Sequence, residues 1–297
     1  MNWDDGRLFL AVARAGQMLA AARTLGVNQA TLSRRMTALE KDLGTKLLVR
    51  RTTGCELTET GRQLLTNLEK AERTFIASQS LAGADATEIS GTVRIGAPDG
   101  FGSLFLAPRL SELKTQHPGL SIQLVPVPRS FSLSQREADI AVMIGRPTQG
   151  RLVARKLTDY SLSLYASQRY LAEHPRPQRP EDLTQHELIG YVDDLLYAPS
   201  LNYADEFAPG WKSSLEITTA VGQMEAINGG AGIGVVHDYL VNNYPNLELI
   251  LPEQQVIRSY WTVIHENMRD LPRIAAVAAL LVQLVSQHQG RFTRALR

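Results

Sequence analysis

Leu19-Ala-Ala-Ala-Arg-Thr-Leu25, then Gly26-Val27, then Asn28-Gln-Ala-Thr-Leu-Ser-Arg-Arg-Met36 is the stretch that decides the reading of this chain. The first run reads as a short helix stopped by Gly26, because glycine accepts the left-handed conformation that ends a helix. Asn28 has the side chain to cap a new helix by accepting from its first free N–H groups. That helix runs from about Gln29 to Leu43, turns Leu32, Met36, Leu39 and Leu43 inward, and stops at Gly44. Upstream, Trp3, Leu8, Phe9, Val12 and Ala13 share one face of a helix that ends at Gly16. Two short helices, a turn and a third helix with a polar, cationic outer face make a helix-turn-helix.

The outer face of the third helix carries the chemistry. Gln29, Thr31, Ser33, Arg34 and Arg35 occupy its first two turns, the part that reaches base edges when a helix N-terminus enters a major groove. Gln suits adenine, Arg suits guanine, and a Thr methyl suits thymine. An ordinary amphipathic helix with a solvated face has the same pattern, so the face alone leaves both readings open. Lys46-Leu-Leu-Val-Arg-Arg-Thr-Thr-Gly54 adds an apolar strand with a basic tip, and Cys55-Glu-Leu-Thr58 can return as its partner. This is similar to the wing of a winged helix, with Arg50, Arg51, Thr52 and Thr53 placed for phosphate or minor-groove contact.

Thr58 caps a further helix whose stripe of Leu57, Gly61, Leu64, Leu68, Ala71 and Phe75 has a period near 3.5 residues. Such a stripe suits either packing on the protein's own core or a seam with a second helix, and the seam is the preferred reading. A paired helix supplies the two-fold symmetry that a palindromic DNA site needs.

Composition agrees. The chain has 297 residues, 44% of them hydrophobic and 21% charged, enough for two or three packed domains. Residues 1–75 hold 12 Lys/Arg against 8 Asp/Glu, so the overall net charge of +1 hides a basic N-terminal end. No apolar run is long enough to cross a membrane. A single cysteine, Cys55, and an acidic Met1-Asn-Trp-Asp-Asp5 start without an apolar segment predict a cytoplasmic protein.

The run Phe9-x-x-Val12-Ala13-x-x-Gly16, Ala20-Ala-Ala22-x-x-Leu25, Asn28-Gln29-Ala-Thr-Leu-Ser33-Arg34, Leu39-Glu40-x-x-Leu43-Gly44-x-x-Leu47-Leu48-x-Arg50 and Leu57-Thr58-x-x-Gly61 resembles the DNA-binding region of LysR-type transcriptional regulators over about the first sixty residues. The resemblance implies an α/β protein overall: a winged helix-turn-helix over 1–58, a linker and dimerisation helix with hinge over 59–89, and an effector-binding domain over 90–297. That domain would resemble periplasmic binding proteins, with lobe I at about 90–162 and 266–297 and lobe II at about 163–265. It further implies homodimers that pair into homotetramers, double-stranded operator DNA and a small-molecule effector as partners, and no cofactor. Carried onto this sequence, Gln29, Ala30, Thr31, Ser33 and Arg34 face DNA, with Arg50 and Thr53 in the wing. Three positions depart from the family: Gln17 stands where Ser is usual at the start of the second helix, Ala30 where Pro or Ser is frequent, and Leu48 where Phe is frequent.

From residue 92 onward helix and strand patterns alternate, which predicts a largely parallel sheet. Expected elements are strands at Thr92–Ala97, Leu120–Val125, Ala138–Ile144 and Ile233–Val236, an extended run Leu152–Ala166, a closing strand Tyr260–His265, and helices at Leu104–Thr115, Val221–Asn228 and Pro272–Gln287. Ligands of open α/β sheets sit beyond the C-terminal strand ends. This singles out Pro98, Asp99, Gly100 and Phe101, with Phe101 lining a cleft. Arg129 and Arg146 are placed to clamp a carboxylate and Ser130 to bind an anion. Tyr197, Gln223 and Met224 are candidates from the second lobe. The competing reading of each of these positions is an ordinary solvated loop residue.

Other signals fail. Gly229-Gly-Ala-Gly-Ile-Gly234 follows a helix and leads into a strand, the reverse of a dinucleotide loop, and Val235 breaks the glycine spacing. Six scattered histidines without a cysteine partner predict no metal site, and His237 reads as structural. No G-x-S-x-G nucleophile elbow occurs. The reading is therefore a regulator and not an enzyme. A solute-binding protein of the transport class, or an enzyme with an appended DNA-binding domain, are the alternatives.

Overall fold

The computed structural model describes residues 1–51, 54–82, 89–127, 133, 137–147 and 150–295. The chain divides into two compact units, the first ending at residue 88 and the second starting at 89.

The N-terminal unit contains α1 (Trp3–Ala15), α2 (Met18–Leu25), α3 (Gln29–Leu43), a hairpin of β1 (Leu48–Arg51) and β2 (Gly54–Leu57), and α4 (Glu59–Ala82). Each boundary has a local cause. Asn2 and Asp5 exchange side chain–backbone hydrogen bonds in a capping box at α1. The Asn28 carboxamide oxygen accepts from the Ala30 amide at 2.8 Å to start α3. Gln17 caps nothing at α2, in line with its poor capping chemistry. Gly16, Gly26 and Gly44 end the three helices at φ near +65°, which a side chain would strain. Leu8, Phe9, Val12, Ala21, Leu32, Met36, Leu39 and Leu47 are buried in one core.

Two ties hold the hairpin on this core. The Glu40 carboxylate accepts from the amides of Leu47 and Leu48 and from the Lys46 ammonium, at 2.9, 3.1 and 2.8 Å. The Cys55 amide donates to the Gly16 carbonyl at 2.7 Å. The stripe on α4 is divided. Leu64 and Leu68 pack into the helix-turn-helix core and Gly61 sits against the Leu47 carbonyl, so this half of the stripe is internal. That corrects the preference for a seam along the whole stripe. Only beyond it does Phe75 stand exposed, 5.8 Å from the ring of Trp3, which is also exposed.

The second unit is built on one nine-stranded sheet, with β3 (Gly91–Ala97), β4 (Leu120–Pro126), β5 (Ile140–Ile144), β6 (Leu152–Ser167), β7 (Leu188–Gly190), β8 (Leu215–Glu216), β9 (Ile233–His237), β10 (Leu247–Ile250) and β11 (Val256–His265). The order is β4-β3-β5-β11-β6-β9-β7-β8, with β10 on β6. Helices are α5 (Leu110–Gln116), α6 (Gln168–Glu173), α7 (Ala204–Phe207), α8 (Ala220–Asn228), α9 (Pro272–Gln287) and α10 (Gln289–Phe292). The expected helix Leu104–Thr115 is only α5 at its end; Phe101–Leu106 winds as a wider π turn and Ala107–Arg109 as a 3₁₀ turn.

The sheet is mixed rather than largely parallel. β3 runs parallel to β4 and β5, and β7 parallel to β8 and β9. The two long strands β6 and β11 are antiparallel to all their partners. The alternation rule fails here because β6 and β11 carry the chain directly from one half of the sheet to the other, with no crossover helix to reverse direction. β11 pairs with β5 through Tyr260–Ile264, while β6 pairs with β9 through Leu162–Tyr165. Two half-sheets therefore share a central pair of strands.

Candidate DNA interface and effector site

On α3 the burial of Leu32, Met36 and Leu39 turns the opposite face outward. Gln29, Ala30, Thr31 and Arg34 are exposed on that face and Ser33 is half-buried. Arg34 makes no ion pair among the described residues. Arg35 does not belong with them. Its guanidinium donates to Asp5 at 2.9 and 2.5 Å and to Asp4 at 3.1 Å, so it joins α3 to the start of α1. Helical geometry explains the difference, since successive residues are rotated by about 100°. Burial raises the Asp5 carboxyl, but the hydrogen bonds from Arg35 and Asn2 outweigh it and hold the group below its usual range. In the hairpin, Arg51 is exposed and lies 3.4 Å from Glu56. Thr52, Thr53 and the Arg50 side chain lie outside the described residues.

In the second unit the predicted residues separate into contacts, core and surface. Asp99 follows β3, is almost fully buried, and accepts from the Val221 amide of α8 at 3.0 Å. The amides of Asp99, Gly100 and Ala220 also point at this carboxylate. Burial nevertheless pushes its pKa above the usual carboxylate value, the amides pulling the other way. A loop of the first half-sheet thus caps a helix of the second. Gly100 lies close to Leu240 and Ala220. Phe101 does not line a cleft: it is fully buried between Phe105, Phe292 and Tyr260, with ring centroids 4.9 Å apart for the last. Met224 is core as well, and the buried Gln223 side chain donates to the Ile217 carbonyl at 2.8 Å. Tyr197 is half-buried, its phenol pushed up by burial and by Asp99. Arg146 is exposed, its guanidinium 5.6 Å from the Trp261 ring centroid. Arg129 and Ser130 lie outside the described residues.

Sequence reasoning missed the aromatic cluster. Tyr160 stacks on Tyr260 at 4.1 Å and on His237 at 5.4 Å, at the strand pair shared by the half-sheets. Burial depresses His237 to about 4, so it is neutral. Tyr191 and Tyr203 meet edge-on at 6.2 Å and, with Trp211 and Gln223, line a cavity of about 560 Å³. One signal pointed to this region: all nine tyrosines fall between residues 160 and 260.

A winged helix-turn-helix followed by a ligand-binding α/β unit defines the class of one-chain, ligand-responsive regulators. Residues 3–62 match the bacterial regulatory helix-turn-helix of the lysR family, and residues 86–286 match the LysR substrate binding domain. The chain belongs to the LysR family of transcriptional regulators. It is 31% identical to the HTH-type transcriptional regulator YhjC of Escherichia coli over 77% of this chain and 78% of that protein. It is 27% identical to the Mau operon transcriptional activator of Paracoccus denitrificans over 92% of each. Its fold is similar to the structure of CrgA, a LysR-type regulator from Neisseria meningitidis, with TM-score 0.59, 24% identity and coverage of 95% of this chain and 98% of that one. No helix among the described residues is long and apolar enough to cross a membrane.

Proposed function

We propose that Gln29, Ala30, Thr31, Ser33 and Arg34 read operator DNA in the major groove, with Arg50, Arg51, Thr52 and Thr53 on the flanking backbone. The carrying observation is the exposed outer face of α3, where Arg34 has no ion-pair partner among the described residues while Arg35 is held by Asp4 and Asp5. The protein acts in the cytoplasm as a homodimer, paired through the distal half of α4, and assembles further into a tetramer. The uncovered Trp3–Phe75 pair supports that half as the seam. Residues 1–58 are the DNA-binding domain, 59–89 the linker, and 90–297 the effector domain, whose lobes meet at Asp99 and α8. A small molecule bound there shifts the lobes and the spacing of the DNA-binding units, without chemical turnover.

Gel shifts with promoter fragments test this reading. Arg34→Ala weakens binding to the cognate site by about 1–3 kcal/mol and relaxes preference at one base pair. Equal weakening on cognate and random DNA makes Arg34 a phosphate contact instead.

A further inference from the structure

The cavity of about 560 Å³ in the second half-sheet is the size of a small-molecule site. Tyr191, Tyr203 and Trp211 contribute aromatic surface to it. Asp193, Asp205 and Glu216 also line it and are exposed to solvent, against Lys212 as the one lining cation. We propose that this cavity takes an organic cation: a primary amine, guanidinium or quaternary ammonium group on a flat or apolar body. The proposal rests on reading the chain as an effector-controlled regulator and names the chemical class of that effector.

Two separate observations set the sign of the charge. The first is the lining itself. Asp193, Glu216 and Lys212 form no ion pairs among the described residues, and Asp205 only accepts a backbone hydrogen bond from Gly210 at 3.2 Å. The carboxylates outnumber the lysine, which leaves a net negative mouth over aromatic walls. Ring faces attract cations through their quadrupole, and a cavity wall strengthens that attraction by displacing water. The second is that the natural anion position next to the cavity is already filled. The N-terminus of α8 would otherwise hold a ligand carboxylate on its amides, but Asp99 accepts from those of Ala220 and Val221, and Thr219 Oγ from that of Gly222. An incoming anion has to displace that carboxylate or sit beside it.

Isothermal titration of the full chain tests this with phenethylamine, benzyltrimethylammonium and agmatine, against 2-phenylethanol and phenylacetate as neutral and anionic counterparts. At least one cation binds with one site per chain at millimolar concentration, and the neutral and anionic probes bind at least about tenfold more weakly. The Asp205→Asn/Glu216→Gln double variant loosens the cation about tenfold, and added salt does the same in part. Phenylacetate binding as tightly as the cations, no cation binding at millimolar concentration, or an unchanged affinity in the double variant each overturn the proposal. Gel shifts of the unliganded protein test the regulator reading separately; its failure leaves the calorimetric result standing.

Discussion

Gly61→Ala sets two known effects against each other at one position. Gly61 lies in the first turn of α4, where alanine is the better helix former by about 1 kcal/mol. On propensity alone the variant is more stable. The tertiary contact says the opposite. A Cβ on Gly61 would meet the Leu47 carbonyl oxygen well inside 3.0 Å, a limit that real Cβ atoms essentially never breach, with the Leu47 carbonyl carbon at 3.2 Å and Leu57 Cδ2 at 3.3 Å. The carbonyl has no room to yield, because it accepts from the Thr58 amide while the Leu47 amide donates to Glu40. Either α4 tilts off Leu47 or β1 shifts and strains those bonds. Overpacking of this kind costs about 3 kcal/mol, so after the propensity gain the variant is destabilised by about 2 kcal/mol. Cys55, half-buried in β2 of the same unit and the only cysteine in the chain, reports this directly. The rate of its modification by a thiol reagent, when limited by local opening, rises about thirtyfold. Slower modification than in the wild type, the sign that propensity dictates, refutes the packing argument.

Three further outcomes follow from the geometry. Burial raises the Glu40 carboxyl, but its hydrogen bonds from Lys46, Leu47 and Leu48 outweigh this and lower its pKa below 4.5; its contribution is therefore full above that value and lost as pH falls through the lower folded pKa, and Glu40→Gln flattens the acid limb of far-UV circular dichroism melts of the helical unit. His237, buried against Tyr160 and depressed from 6.5 to about 4, makes the unfolded chain the better proton binder in that window, so stability is full above 6.5 and falls by about 3 kcal/mol as pH drops to 4. Urea midpoints followed by tyrosine near-UV signal show this fall, and His237→Gln removes it; an unchanged pH slope in the variant refutes the assignment. Arg35→Ala lowers the melting temperature of the N-terminal unit and leaves the base preference of DNA binding unchanged, whereas Arg34→Ala relaxes that preference at one base pair and leaves the melting temperature unchanged; an altered base preference for Arg35→Ala returns that residue to the DNA face.

Local chemistry alone determined the helix boundaries of the N-terminal unit. Asn28 as a cap, Gly16, Gly26 and Gly44 as stops, and the spacing of Leu32, Met36 and Leu39 act within a few residues of themselves, so α3 and its outer face are legible without the fold. The same locality makes Pro272–Gln287 readable to the residue. Arg35 was not readable, because whether a helix arginine meets solvent or an acid depends on where α1 lies, and Asp5 is 30 residues away. The α4 stripe shows the same limit: one 3.5-residue period serves a private core at Leu64 and Leu68 and leaves Phe75 uncovered, and periodicity does not carry that boundary. In the second unit, strand positions are local but strand direction is not, so the antiparallel β6–β11 pair was decided by long-range pairing. The proposed effector site is the most tertiary feature of all. Asp99 meets Val221 across 122 residues of chain, and Tyr191 and Tyr203 close on a cavity that no short window of sequence describes. Burial and charge at such a site arise only when distant segments exclude water together.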